Sequence, residues 1–379
     1  MFDTALAWLR EPQQQLQAAL RWAAVQTLRA GKLPKHVAFI MDGNRRFARQ
    51  RHIARIAGHS AGFDKLKETL QWCLDLDIRI VSVYAFSIEN FNRSKEEVDA
   101  LMQLALEKFE TLLDESEVLH QHQVSVRIVG NMDLLPEALQ RVLGKVVYET
   151  RAYTKAILNV CFAYTARDDI TTAANRILTA LDEGRIQSWL ISVYLLEYYH
   201  PVWFTKVLWP DFGFYDMLEC IVAYQRAAPV VSRLRAQQFA VEQQGLRVRL
   251  NALLAQLGGE GDGRSSPFEA GTRQSEKVAA LEEEQRYRVQ TYVRALREAA
   301  MARYATLAAA YDHNRPCDAA GKREAIPLTR HTASLSLCLS VSLCLSLSLY
   351  VSLSVCLCLT SPLKIALKHH DIIHFIVYY

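Results

Sequence analysis

Several functions are excluded by what this chain of 379 residues lacks. No GxxxxGK[ST] loop occurs, so a phosphate-cradling nucleotide site of that kind is absent. The first 31 residues hold no apolar run long enough for a secretory signal peptide. A formal charge of only +4 gives no reason to expect nucleic-acid binding. Cysteine is sparse where the chain reads as folded: of eight cysteines, only Cys73, Cys161 and Cys220 fall there, without metal-ligand spacing. Buried thiols in a reducing compartment are the expectation. Charge itself is missing between Thr332 and Leu363.

What is present is a chain 51% hydrophobic and 22% charged, able to bury one large core plus appendages. Residues 1–32 read as an amphipathic helix, with Leu6, Leu9, Leu16, Leu20, Val25 and Leu28 near one face and an interruption at Pro12. Packing on its own domain is the first reading of that face, and docking to a membrane or partner the second. From Leu33 short apolar runs alternate with helical periodicity. Strands are expected at His36–Met41, Ile78–Phe86, Val124–Val129, Ile157–Tyr164 and Val202–Leu208, with a polar loop at Ser87–Arg93. Ser60 reads as a helix cap before Phe63, Leu66, Leu70 and Cys73, and Thr165 opens a capping box.

This alternation points to an α/β fold, a mostly parallel central sheet flanked by helices, occupying about 33–235. Residues 236–311 read as a helical extension with a linker at 258–274. Residues 312–379 are a low-complexity Leu/Ser/Cys tail, not expected to be a domain: from Leu335 to Leu359 every odd position is Leu or Val. The tail passes a length test for a membrane anchor, but its period of two is a strand pattern. A non-functional extension is the expectation, with an anchor or an aggregation-prone segment as alternatives.

In parallel sheets ligands gather at the carboxyl ends of strands, and the turn Asp42-Gly43-Asn44-Arg45-Arg46 lies at that edge. One carboxylate there is placed to hold Mg²⁺ through an oxygen. Gly43 lets backbone approach a ligand, and Arg45 and Arg46 bring forked donors for phosphate. Arg55 and His59 follow before the next helix. The residue types point to a phosphate or diphosphate site; a turn with solvated arginines accounts for them as well.

The sequence goes further. The run His36–Arg46, then Gly58-His59, Tyr84–Arg93, Leu158–Tyr164 and Val207–Phe212 together resemble the ordered motifs of the cis-prenyltransferases, the undecaprenyl/dehydrodolichyl diphosphate synthase family, over about Leu33 to Tyr224. The eukaryotic dehydrodolichyl branch is the most similar version. The resemblance implies condensation of isopentenyl diphosphate with an allylic (farnesyl) diphosphate, with Mg²⁺ as cofactor, to build long-chain polyprenyl diphosphate for dolichol and protein glycosylation. Asp42 would be catalytic and the metal ligand, with Asn90 and Arg93 orienting the reacting groups. Gly43, Asn44, Arg45, Arg46, Arg55 and His59 would bind diphosphate. Phe86 would line the path of the growing chain, with core packing as its plainer reading. Glu97 matches an acidic family position, although Ser94-Lys95-Glu96-Glu97 is also a capping box in which Glu97 turns back to Ser94.

Two departures stand out. Between Glu197 and Val202 the chain runs directly through Tyr198-Tyr199-His200-Pro201, where the family has a further strand and an arginine-bearing stretch for isopentenyl diphosphate. Two diphosphates brought together without compensating cations repel strongly. Impaired condensation, or a role confined to binding a partner subunit, is therefore expected of this form. The Arg-x-Gly ending of single-subunit enzymes is also absent. The resemblance then implies a heteromer with a Nogo-B-receptor-like second subunit, or a homodimer. It also implies peripheral contact with the cytosolic face of the endoplasmic reticulum membrane, and no nucleic acid.

Overall fold

The computed structural model describes residues 2–114, 116–186, 202–257, 267–314 and 373–378. The Leu/Ser/Cys run and most of the Glu197–Val202 connection lie outside these residues. Two compact units emerge: Met1–Tyr164 with His200–Val231 and Ser361–Tyr379, and Thr165–Tyr199 with Ser232–Thr360.

The first unit begins with α1 (Phe2–Arg29), which runs through Pro12 without the expected interruption. Its last turns are held by the buried Val25 and Leu28, while Leu16, Leu20 and Trp22 are exposed. The apolar stripe is therefore only partly used for packing. There follow β1 (His36–Ile40), α2 (Asn44–Gln50), α3 (Arg55–Asp75), β2 (Ile80–Ser87) and a single 3₁₀ turn at Ile88–Asn92. Next come α4 (Lys95–Asp114), α5 (Ser116–His122), β3 (Val124–Val129), α6 (Glu137–Thr150) and β4 (Ala156–Tyr164). Strand β1 pairs in parallel with β2, β2 with β4, and β4 with β3. Crossover helices between parallel strands require both sheet faces to be covered, which explains the nearly continuous burial of β1 and β4.

Three boundaries differ from the sequence reading. Ser60 lies inside α3 rather than at its cap, because Ala54 holds extended backbone and the helix starts at Arg55. The strand expected to reach Leu208 is β5 (Val202–Thr205), followed by a 3₁₀ turn at Trp209–Asp211. The expected linker ends early, since α9 already begins at Pro267.

The sheet order is β3-β4-β2-β1-β6-β5, in which β6 (Ile373–Tyr378) comes from the end of the chain. It lies antiparallel to β1, with His36 opposite Tyr378, and antiparallel to β5. The place beside β1 is thus taken by a strand that the period-two tail had obscured. Beneath β1 an aromatic cluster fills the core: Phe39, Trp72, Trp209, Phe212 and Phe214 meet at centroid separations of 5.6–6.4 Å.

The helix α8 (Phe214–Leu257) starts in the first unit and continues into the second. There α7 (Ala166–Asp182) is capped by Thr165, whose Oγ1 accepts from the Asp168 amide. Helix α9 (Pro267–Asn314) meets α7 where the Tyr292 hydroxyl donates to the Arg176 carbonyl, 3.2 Å away. Among the described residues no helix is long and apolar enough to cross a membrane.

Candidate active site

The carboxyl end of β1 turns sharply because Gly43 adopts a left-handed conformation, φ +103°. A side chain there would meet Leu208, with a Cβ within 2.9 Å of its Cδ2. Glycine is thus required twice over, by conformation and by space. The turn presents Asp42, whose Oδ1 accepts from the Gly43 amide at 2.6 Å and whose Oδ2 accepts from Arg46 Nη2 at 3.1 Å. The Asp42 carboxylate is otherwise open, its side chain 59% exposed.

Helix α3 is brought against this turn by two glycines. A Cβ on Gly58 would lie 2.4 Å from the Asn44 carbonyl oxygen, and one on Gly62 would lie 2.4 Å from Asn44 Oδ1. That close approach carries Arg55 and His59 to the site. His59 is mostly buried, and burial, followed by the charge of Arg93, lowers its pKa from the ordinary value to about 4. It is neutral at physiological pH. Its Nε2 and Asn44 Oδ1 are buried with no hydrogen-bond partner among the described residues. Buried polar atoms of this kind call for a partner, an ordered water, an ion or a ligand.

The third side comes from the β2–α4 connection. The Ser87 hydroxyl accepts from the Glu89 amide and starts the 3₁₀ turn that projects Asn90. Arg93 donates through Nη2 to Asn90 Oδ1 at 2.9 Å and through Nη1 to Glu97 Oε1 at 3.1 Å. The other oxygen of Glu97 accepts from Arg55 Nη1 at 3.1 Å. Glu97 is only 10% exposed and bridges two guanidinium groups. This corrects the capping-box reading in part: the Ser94 hydroxyl does accept from the Glu97 amide, at 3.4 Å, but the Glu97 carboxylate faces the arginines instead. Burial, then repulsion from Arg45, disfavours the charged form of Arg93, while Glu97 and Asp42 favour it.

Asp42, Arg45, Arg46, Arg55, His59, Asn90, Arg93 and Glu97 therefore share one electrostatic neighbourhood, rich in guanidinium groups. Between α3 and α4 lies a cavity of about 320 Å³ lined by Arg55, Ile56, His59, Glu97, Ala100 and Leu101. Phe86 is not at its wall. That ring is 3% exposed, stacked on Phe162 at 5.3 Å and edge-on to Phe91 at 4.9 Å, which is core packing. Gly62 was overlooked in the sequence, although its four-residue spacing from Gly58 places both on one helical face.

Several known proteins are similar to this chain. The family described as "Putative undecaprenyl diphosphate synthase" matches residues 40–197, ending where the sequence departs from the expected pattern. The human protein named "Dehydrodolichyl diphosphate synthase complex subunit DHDDS" is 37% identical over 324 positions, covering 77% of this chain and 95% of that protein. Those positions outnumber the residues that this chain contributes to the match, so the human protein has residues where this chain has none. An enzyme of Methanopyrus kandleri named "Tritrans,polycis-undecaprenyl-diphosphate synthase (geranylgeranyl-diphosphate specific)" is 37% identical over 232 positions, 53% of this chain and 85% of that one. Among solved structures, lavandulyl diphosphate synthase from Lavandula x intermedia with dimethylallyl diphosphate superposes with a TM-score of 0.47 at 26% identity, over 51% of this chain and 95% of that one. The extent of the match to the human protein is decisive, and this chain belongs to the undecaprenyl/dehydrodolichyl diphosphate synthase family, the cis-prenyltransferases.

Proposed function

We propose that this chain condenses isopentenyl diphosphate with an allylic diphosphate, farnesyl diphosphate in the first instance, to make a long-chain polyprenyl diphosphate of the dehydrodolichyl kind. The observation that supports this most directly is the convergence of Asp42, Arg46, Arg55, His59 and Arg93 beside a cavity that is partly apolar and partly charged. When the allylic C–O bond breaks, its electrons pass to the diphosphate. Fixed donors aimed at that growing charge lower the barrier. Arg46 and Arg93 supply them as charged forks, and neutral His59 supplies a hydrogen-bonding ring without adding a proton to the site. The double bond of isopentenyl diphosphate forms the new C–C bond, and loss of a proton from that unit leaves a cis double bond. Ile56, Ala100 and Leu101 give the carbon chain an apolar wall next to the anion.

Mg²⁺ fits this donor set. Asp42 is one exposed carboxylate at a strand end, and no cluster of three metal-ligating side chains occurs among the described residues. A site of that kind suits an ion that keeps several waters and shares phosphate oxygens. When bound, Mg²⁺ would neutralise charge on the departing diphosphate.

The human relative is by name a complex subunit. A second subunit, Nogo-B-receptor-like, that completes the site of this chain at the cytosolic face of the endoplasmic reticulum is the reading we adopt, and it would place the product in dolichol synthesis for glycosylation. The short Glu197–Val202 connection leaves isopentenyl diphosphate with few cations. Its KM is therefore expected to exceed that of the human enzyme. Incubation of the full chain, alone and with such a subunit, with labelled isopentenyl diphosphate, farnesyl diphosphate and Mg²⁺ tests the assignment. Labelled polyprenyl diphosphate is the expected product; its absence in both mixtures would remove the assignment.

A further inference from the structure

The turn Leu208-Trp209-Pro210-Asp211 contributes no side chain to the cluster of charged groups. It nevertheless touches the Asp42 turn, α2 and α3. The Trp209 amide donates to the Asp42 carbonyl at 3.0 Å. The Trp209 indole Nε1 donates to the Gly62 carbonyl of α3 at 2.6 Å, fully buried. Leu208 closes over Gly43 so tightly that no side chain fits there. Asp211 Oδ1 accepts from Arg51 Nη2 at 3.0 Å, just beyond the end of α2, and the Arg51 guanidinium lies 5.0 Å from the Phe47 ring centroid.

Trp209 itself has no freedom to drift. It is 0% exposed, tilted against Phe39 at 5.6 Å and stacked on Phe212 at 5.7 Å. Phe39 belongs to β1, so the indole is anchored to the same strand whose end bears Asp42. Gly62 lies one turn beyond His59 on the same side of α3. A single buried side chain therefore links the carboxylate turn to the helix carrying His59 and Arg55.

We propose that the Leu208–Asp211 turn is a brace: Trp209, assisted by the Arg51–Asp211 pair, is a positioning residue that sets the Asp42 carboxylate relative to His59 and Arg55. This rests on the diphosphate-binding reading above. A displacement of about 1 Å in a reacting geometry can change rate by about a hundredfold, so a hydrogen bond that fixes this separation has kinetic weight beyond its contribution to folding.

The test is Trp209→Phe, which keeps an aromatic ring and the backbone amide while removing the Nε1 donor together with part of the buried indole. Binding of farnesyl thiodiphosphate, a non-ionising analogue, is followed by calorimetry across a Mg²⁺ titration. Turnover is measured on the same preparations with the second subunit present. The brace predicts that Trp209→Phe raises the Mg²⁺ concentration needed for half-maximal binding by roughly fivefold. It also predicts a fall in kcat of about tenfold with the KM for isopentenyl diphosphate unchanged. Asp211→Asn, at a partly exposed position, serves as the second variant should Trp209→Phe fold poorly; it is expected to shift the Mg²⁺ midpoint in the same direction by about twofold, without lowering the melting temperature. If folded variants show wild-type Mg²⁺ dependence and kcat, the turn is only packing and the brace is wrong. Failure of the wild-type chain to bind the analogue at all would instead overturn the diphosphate assignment.

Discussion

Strand β1 is bordered by two neighbours of different origin. On one side β2 follows it after α2 and α3, in parallel register, and the turns at that shared carboxyl edge carry the charged site. On the other side β6 arrives antiparallel from residues 373–378, more than three hundred positions away in sequence. The β2 side is built from local segments whose burial and periodicity agree. The β6 side satisfies a more general demand: a buried strand cannot leave its amides and carbonyls unpaired. An open edge accepts any short β-favouring segment, and Ile-His-Phe-Ile-Val-Tyr, with no glycine or proline, meets that requirement. Charged side chains are thus concentrated on one flank of β1, and closure of the sheet on the other.

Substitutions on the two flanks should separate accordingly. The largest effect belongs to Asp42→Asn, which keeps the shape of the turn and removes the charge. Prenyl transfer should fall about a thousandfold, while the melting temperature stays nearly constant because the carboxylate is exposed. A variant with near-normal turnover would move the chemistry elsewhere. On the far flank, Ile376→Pro removes one amide from β6, at the position opposite Ala38 of β1 and Val202 of β5. It should lower unfolding stability by about 3 kcal/mol in urea titrations, and an unchanged midpoint would show that β6 is not part of the sheet in solution.

Glu97→Gln comes next. It releases Arg55 and Arg93 from their shared carboxylate, and kcat/KM should fall about tenfold, read as steady-state kinetics at saturating Mg²⁺. Activity equal to wild type would reduce the bridge to a surface contact. The last effect concerns His59. Its folded pKa, about 4, lies below the unfolded value of 6.5, so the unfolded chain binds more protons between these limits. Stability should decline as pH drops through that window, by at most about 1.4 kcal/mol per pH unit. His59→Gln should flatten the dependence, and an equally steep slope in that variant would assign it to other groups.

The comparison also explains what could be read from sequence. The strands β1, β3 and β4 were legible because each is a short apolar run bounded by turn residues, and the Asp42–Arg46 turn because its residue types make sense only at a strand end. The start of α3 was not, since Ser60 looks like a cap while Ala54 performs the change of backbone direction. The double role of Glu97 was hidden because Arg55 lies 42 positions away and only tertiary packing joins them. Strand β6 was illegible for a related reason: its pairing is wholly non-local, and it follows a repetitive stretch that masks it.

The bridge at Glu97 has one more consequence. A carboxylate lodged between two guanidinium forks already does, in the resting protein, part of what an arriving anion would do. If these forks hold diphosphate as proposed, substrate capture is an exchange of partners: each fork that turns to a phosphate oxygen must share or release its hold on Glu97. In that case a lone inorganic phosphate would meet a cradle already tenanted, whereas a diphosphate, longer and with more acceptor oxygens, could engage both forks at once.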